Sequence, residues 1–182
     1  MAETANDNDS GYWIGVVTRS PEETAAVADA LARVLRGGDV VSLEGDLGAG
    51  KTFFAGAVAR ALGAEGHVTS PTFVLQKHYE LREPHLRLLA HYDVYRLADY
   101  SELADIGFED LDGQTLAMVE WGDRFRDKYA QPPVRVRFTV TGAQTRRIAI
   151  CFSEIDRFET FSQALKERFL VEDVTRPELP SG

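Results

Sequence analysis

The sequence is poor in cysteine, with one residue, Cys151, in a chain of 182. A single cysteine cannot close an internal disulfide, and a low cysteine content is typical of proteins from reducing compartments. The chain also has only four histidines, and these show no spacing typical of metal ligands. We therefore expect neither a disulfide framework nor a zinc site.

Basic residues are also scarce. Lys and Arg number 20 against 29 Asp and Glu, so the formal charge at pH 7 is −9. Binding to nucleic acid depends on clustered Lys and Arg side chains, and the sequence has no basic stripe. We expect no direct binding to DNA, and contact with RNA only through another protein.

Long hydrophobic runs are missing as well. No segment approaches the ~20 apolar residues that span a bilayer. Residues 1–11 are polar and acidic, without the basic start and apolar core of a secretory signal. We expect a cytoplasmic protein with no membrane association. A disordered leader over 1–11 precedes a single domain over 12–173, and a flexible tail covers 174–182.

The order of predicted elements indicates an α/β fold. A strand over Tyr12–Thr18 is followed by a helix that Ser20 caps and that ends at Gly37-Gly38. A short strand at 40–43, a glycine-rich turn and a helix over 50–62 come next, an order typical of parallel sheets. Further strands are predicted at 73–81, 86–95, 115–119, 134–140 and 147–152, with a short helix from Ser101 and an amphipathic helix over 155–170.

The glycine-rich turn matches the phosphate-binding pattern G-x-x-x-x-G-K-[ST] at every position. Its residues are Gly45, Asp46, Leu47, Gly48, Ala49, Gly50, Lys51 and Thr52. In such a loop the backbone N–H groups surround a phosphate, the lysine binds the β- and γ-phosphates, and the hydroxyl binds Mg²⁺. An apolar strand before the loop and a helix after it complete the expected setting. The sequence predicts binding of a nucleoside triphosphate with magnesium, and the absence of N-K-x-D favours ATP over GTP.

Two carboxylates are candidates for the remaining chemistry of this site. Glu120 directly follows the apolar strand at 115–119, where it could assist Mg²⁺ binding. Asp93 shares a predicted strand face with His91 and Tyr95. The alternatives are a surface charge for Glu120 and a structural ion pair with Arg96 or His91 for Asp93.

Trp121 and the segment 70–73 are two further candidates for contact with the nucleotide. Trp121 follows Glu120 and could pack on a nucleotide, although a core tryptophan is an equally good interpretation. Residues 70–73 (SPTF), which include Thr72, suit a loop that senses the γ-phosphate. Ordinary turn chemistry explains the same residues.

Together, GDLGAGKT at 45–52, SPTF at 70–73, HYDVYRL at 91–97 and EW at 120–121 resemble the TsaE family. This resemblance implies a P-loop ATPase with a mixed central sheet, antiparallel hairpins added to a parallel core, and weak ATP hydrolysis. It also implies a role with TsaB and TsaD in threonylcarbamoyl modification of adenosine next to the anticodon of tRNA.

The resemblance also implies roles for individual residues. It assigns Lys51 to the phosphates, Thr52 and Glu120 to Mg²⁺, and Asp93 to catalysis near the γ-phosphate. Thr72 falls in the switch-like loop, Trp121 lies beside the nucleotide, and an arginine of the last hairpin, Arg146 or Arg147, approaches it. The chain departs from the common family pattern at Phe53, where a second Thr is usual, and at Gly122, where Pro is frequent.

Two other functions fit a P-loop. A small-molecule kinase needs a mobile lid carrying basic residues, for which Arg124, Arg126 and Lys128 are available. Because these alternate with Asp123 and Asp127, we interpret them as a solvated helical face. A nucleotide-gated interaction protein without essential hydrolysis is the second alternative.

Overall fold

The computed structural model describes residues 11–66, 68–71 and 73–173 of the chain. Over this part, eight strands and four α-helices follow one another in the order β1 (Tyr12–Thr18), α1 (Pro21–Ala32), β2 (Val40–Glu44), α2 (Lys51–Ala61), β3 (Gln76–Glu83), β4 (Leu86–Asp93), α3 (Tyr100–Asp105), β5 (Thr115–Glu120), β6 (Val134–Val140), β7 (Arg146–Phe152), α4 (Ile155–Lys166) and β8 (Val171–Asp173). Short 3₁₀ helices cover Phe108–Asp110 and Gly122–Lys128.

All eight strands belong to one sheet, in the order β3-β4-β5-β2-β6-β7-β1-β8. The central strand β2 runs parallel to β5 and β6, and β4 runs parallel to β5. Antiparallel strands extend this parallel core on both sides. The predicted mixed sheet with added hairpins is confirmed.

The two faces of the sheet bury different clusters. One face packs against α1, α2 and α4, which contribute Leu31, Phe54 and Phe161 to the larger core. The other face carries a second cluster, formed with α3 and the 3₁₀ segments, that includes Tyr92 and Phe125. Successive side chains of a strand point to opposite faces of the sheet. Alternation therefore decides which side chains face the layer of α1, α2 and α4, here called the α2 layer.

Several predicted boundaries are wrong. Helix α1 ends at Ala32 rather than at Gly37-Gly38, and α4 ends at Lys166 rather than at 170. Strand β3 begins at Gln76 instead of 73, because the amides of Val74 and Leu75 both bond to the Pro71 carbonyl and form a turn.

At the same open end of this hairpin, β4 stops at Asp93, because the Asp93 side chain accepts from the Tyr95 amide (3.0 Å) and turns the chain. Tyr95 is therefore outside the strand and 54% exposed, and does not share a strand face with His91 and Asp93.

Strand β8 has no counterpart among the predicted elements; it adds three residues to β1 at the sheet edge. The predicted leader, apart from Gly11, and the predicted tail lie outside the described residues. None of the described helices is long and apolar enough to cross a membrane.

Candidate nucleotide site

The P-loop connects β2 to α2 at the carboxyl end of the parallel strands. Gly45 has a φ of +134°, and a Cβ there would lie 2.5 Å from the Phe138 carbonyl oxygen of β6. Gly50, the residue before α2, has a φ of +112°. Both positions need glycine, the first for space and backbone torsion and the second for torsion alone. The loop therefore keeps its course only with the glycines that the motif specifies.

Lys51 is folded back over this loop. Its Nζ donates to the carbonyl oxygens of Gly45 (2.5 Å) and Asp46 (2.8 Å), and the ammonium lies 3.7 Å from the centre of the Trp121 ring. The residue is 4% exposed. Burial lowers the pKa of Lys51 from its ordinary value of 10.5, although Glu120 and Asp93 counteract this effect. A buried cation at a glycine-rich loop before a helix is well suited to an anionic ligand.

Thr52 and Glu120 meet although they lie on different elements. The Thr52 hydroxyl donates to Glu120 Oε1 at 2.7 Å. Glu120 is 4% exposed and ends β5, between β2 and β4. A hydroxyl and a carboxylate are both hard oxygen ligands, which Mg²⁺ prefers, and Mg²⁺ usually needs only one or two protein ligands in addition to phosphate. The alternative of a surface charge is therefore wrong for Glu120.

This pair fits magnesium better than a metal held entirely by protein. Within the described residues, no group of three or more His, Cys, Asp or Glu side chains could hold a metal ion.

Asp93 occupies the position next to Glu120 in the sheet. The two residues are register partners of the parallel strands β4 and β5. Asp93 is 5% exposed, and its amide donates to the Leu75 carbonyl (3.1 Å). His91, one of its suggested ion-pair partners, instead contacts Glu120 through Nε2 at 2.9 Å. The two predicted carboxylates thus lie side by side on the sheet edge that carries the P-loop.

Trp121 closes one side of the site. Its φ of +62° is unusual for a residue with a side chain, and its amide donates to the Leu43 carbonyl at 2.9 Å. The ring packs against Tyr95, with centroids 4.9 Å apart, while its face covers the Lys51 ammonium. Trp121 therefore lies between the P-loop lysine and the segment after β4, and is not simply a core residue.

The structure gives different partners to the two arginines between which the sequence analysis did not choose. Arg146 Nε donates to the Ala49 carbonyl of the P-loop at 3.0 Å. Arg147 Nη2 instead pairs with Glu172 of β8 at 2.8 Å. Alternation was a usable signal, since Arg146 shares a strand face with Ile148 and Ile150, which pack in the α2 layer.

Thr72 lies outside the described residues, so its predicted place near the nucleotide stays a prediction. Around it, Lys77 Nζ donates to Thr69 Oγ1 and to the Ser70 carbonyl oxygen, which ties β3 to this loop. Phe73 is 85% exposed, and the Arg96 guanidinium lies over its ring at 5.1 Å.

A buried ion cluster next to the P-loop escaped the sequence analysis. Glu44 ends β2, immediately before the P-loop, and its side chain is 4% exposed. It accepts from Arg137 Nε (3.2 Å) and Nη2 (3.1 Å), from Arg126 Nη2 (3.0 Å) and from Ser42 Oγ (3.3 Å). Ser42 and Glu44 alternate with Val41 and Leu43 in the sequence, a pattern that could have revealed a polar contact on the second face.

The basic segment after Trp121 is largely solvated, as predicted. Its charged residues other than Arg126 are exposed. Arg126 pairs with Glu44, and Arg124 donates to the carbonyl oxygens of Tyr95 and Leu97. The segment folds as a 3₁₀ helix held against the sheet. Arginines fixed in this way do not resemble the mobile lid of a kinase.

Comparison with known proteins gives a consistent result. The family model "Threonylcarbamoyl adenosine biosynthesis protein TsaE" matches residues 18–148. The chain is 38% identical over 134 residues to the tRNA threonylcarbamoyladenosine biosynthesis protein TsaE of Mycobacterium tuberculosis, covering 70% of this chain and 80% of the relative. It is 37% identical to the Bacillus subtilis protein of the same name over 150 residues, covering 81% and 90%. For the Treponema pallidum protein of that name, identity is 38% over 136 residues, covering 74% and 97%.

A solved structure is similar as well. The crystal structure of YdiB from Bacillus subtilis superposes with a TM-score of 0.64 and 28% sequence identity, covering 87% of this chain and 97% of YdiB. The family match over residues 18–148 includes the parallel core, the P-loop and the strand ends that carry the two carboxylates.

Proposed function

The chain belongs to the TsaE family, and on this premise we propose that it acts in tRNA threonylcarbamoyladenosine biosynthesis as an ATP-binding, weakly hydrolysing P-loop protein. The single observation that best supports this proposal is the hydrogen bond between Thr52 and Glu120, at 2.7 Å. It joins the last residue of the phosphate loop to the carboxylate of a neighbouring parallel strand, which is the arrangement that a magnesium-dependent nucleotide site requires.

Each residue of the site has a distinct part in the proposed reaction. The P-loop amides and Lys51 would bind the phosphates, and Thr52 with Glu120 would hold Mg²⁺. When bound, Mg²⁺ neutralises charge on the β- and γ-phosphates. Asp93 would orient the attacking water near the γ-phosphate, and Arg146 would add positive charge beside the loop. We assign the hydrolysis step to Asp93, because it is buried next to Glu120.

The surroundings of the site favour action through another protein. Large apolar side chains are exposed here: Leu47 in the P-loop (88%), Phe53 in the first turn of α2 (42%), and Phe73 beside the switch-like loop (85%). Large exposed apolar side chains beside a functional site are candidates for an interaction surface. We propose that these residues contact the TsaB–TsaD pair, and that tRNA is reached only through this complex. A net charge of −9 supports the indirect route.

Size-exclusion chromatography with the TsaB–TsaD pair tests this proposal. We expect co-elution with ATP and Mg²⁺, and loss of the complex for Lys51→Ala. Lys166→Ala, which changes an exposed lysine in the last turn of α4, is the matched control and should bind as the unmodified protein does. Failure to associate under any nucleotide condition would refute the proposed partnership.

The kinetics of two variants separate an ATPase from a protein that is merely gated by nucleotide. Glu120→Ala should raise the Mg²⁺ requirement, whereas Asp93→Ala should bind ATP normally and hydrolyse it slowly. If nucleotide binding alone controlled the interaction and hydrolysis were not essential, Asp93→Ala would bind and release the TsaB–TsaD pair as the unmodified protein does. A screen of nucleosides and sugars as phosphoryl acceptors tests the kinase alternative, for which transfer would be faster than hydrolysis.

A further inference from the structure

His91 is a fully buried titratable residue that the proposed reaction does not use. It lies in β4, and its side chain is 0% exposed. Its Nε2 atom is 2.9 Å from Glu120 Oε1. A buried polar side chain is normally retained only where its hydrogen bonds are satisfied. Packing alone therefore does not account for a histidine at this position.

The two ring nitrogens of His91 have different surroundings. Nδ1 is buried and makes no hydrogen bond to the described residues. If Nδ1 alone carried the proton, a buried donor would be unsatisfied and the Nε2 lone pair would face a carboxylate oxygen. Both contacts are unfavourable. The proton therefore resides on Nε2, which donates to Glu120 Oε1.

Two donors from different elements thus bond to one carboxylate oxygen. The Thr52 hydroxyl reaches Oε1 from α2 at 2.7 Å, and His91 reaches it from β4 at 2.9 Å. Two hydrogen bonds to Oε1 fix the rotation of the carboxylate about its last torsion, and so fix the direction of Oε2. Strand pairing supports this geometry, because His91 lies opposite Met118 in the same register that places Asp93 opposite Glu120.

We infer that His91 is a positioning residue, which orients the Glu120 carboxylate for the metal-bound nucleotide. This inference rests on the magnesium role proposed for Glu120. Thr52 is itself assigned to the metal, whereas His91 has no other role at the nucleotide. The imidazole is the donor that can keep the carboxylate oriented throughout the cycle. Groups that hold a metal-associated residue in this way typically change metal affinity 10–100-fold when removed.

A matched pair of variants tests this role. The amide nitrogen of His91→Gln lies about as far along the side chain as Nε2 and can still donate to Glu120. The amide of His91→Asn is one methylene shorter and cannot reach it. Both variants bury one polar amide, so a purely structural role would affect them alike. His91→Leu, which fills the space without a donor, replaces the Asn variant if that variant fails to fold.

The measurement is the affinity for ATP by isothermal titration calorimetry over a series of Mg²⁺ concentrations, with a series in EDTA. We expect the Asn or Leu variant to need about 10-fold more Mg²⁺ for half-maximal enhancement of binding. Its Mg²⁺-free affinity should stay within about twofold of the unmodified protein, and the Gln variant should restore most of the Mg²⁺ response.

Equal behaviour of the Gln and Asn (or Leu) variants would overturn the positioning role of His91 and leave the proposed function intact. A different failure is diagnosed by the unmodified protein. If its ATP affinity does not depend on Mg²⁺, the magnesium role of Glu120 is wrong, and the inference about His91 is overturned with it.

Discussion

The charge of Glu44 should be essential to the stability of the domain. Glu44→Gln replaces one carboxylate oxygen with an amide that points N–H donors toward the guanidinium donors of Arg126 and Arg137. The two arginine side chains are 23% and 11% exposed, so they keep little access to water. Removing one partner of a buried ion pair reduces the free energy of unfolding by about 3–5 kcal/mol. Because these partners retain some exposure, we expect the lower end, about 3 kcal/mol.

Urea and thermal unfolding followed by circular dichroism measure this loss. For a chain of this size, about 3 kcal/mol corresponds to a Tm lowered by roughly 6–12 °C. Glu65→Gln is the control, since Glu65 and Arg82 form an ion pair with side chains 69% and 74% exposed. This exposed pair should contribute less than about 1 kcal/mol. A Glu44→Gln variant as stable as the Glu65→Gln control would refute the argument. Such a result would mean that water or other groups hydrogen-bond the two guanidinium groups as well as the Glu44 carboxylate does.

Three further outcomes are expected. Because burial lowers the pKa of Lys51, ATP affinity should fall as pH rises through the alkaline range below 10.5; fluorescence titration should show this for the unmodified protein and a flat profile for Lys51→Ala. Gly122→Ala should lower Tm by several degrees, since its Cβ would lie 2.6 Å from Ser42 Oγ, and calorimetry showing an unchanged Tm would contradict this contact. In gel-shift assays at physiological salt, the isolated chain should not bind tRNA at sub-micromolar concentration, because its net charge is −9.

The sequence predicted those parts of the site that depend on local signals. The P-loop needs glycine at fixed positions, because Gly45 and Gly50 have positive φ angles. The motif can therefore be recognised from the sequence alone. Glu120 was identifiable because it directly follows an apolar strand. Asp93 was identified by alternation within a strand predicted to continue to Tyr95, so its place at the end of β4 was not predicted. The register of β4 and β5 puts both carboxylates at the same edge of the sheet.

Other features depend on contacts between distant parts of the chain. The partners of Glu44 lie 82 and 93 residues further along, and no local pattern specifies which arginines they are. The three residues of β8 form a strand because the edge of β1 provides a template, and a three-residue segment has no periodicity of its own. Alternation along β7 could have indicated that Arg146, and not Arg147, faces the P-loop. Two adjacent arginines made this signal easy to overlook.

The order of strands in the sheet has a consequence for how the protein folds. The first strand pairs with β7 and β8 near the other end of the domain, and Thr18 bonds to the Arg146 carbonyl across 128 residues. Strand β2, which precedes the P-loop, likewise pairs with β5 and β6, which come much later in the sequence. Such non-local pairing slows folding, because long loops must close before their contacts stabilise the chain. During synthesis, β1 remains unpaired until β7 has left the ribosome, and β2 remains unpaired until β5 has. This interval is the time of greatest risk of aggregation.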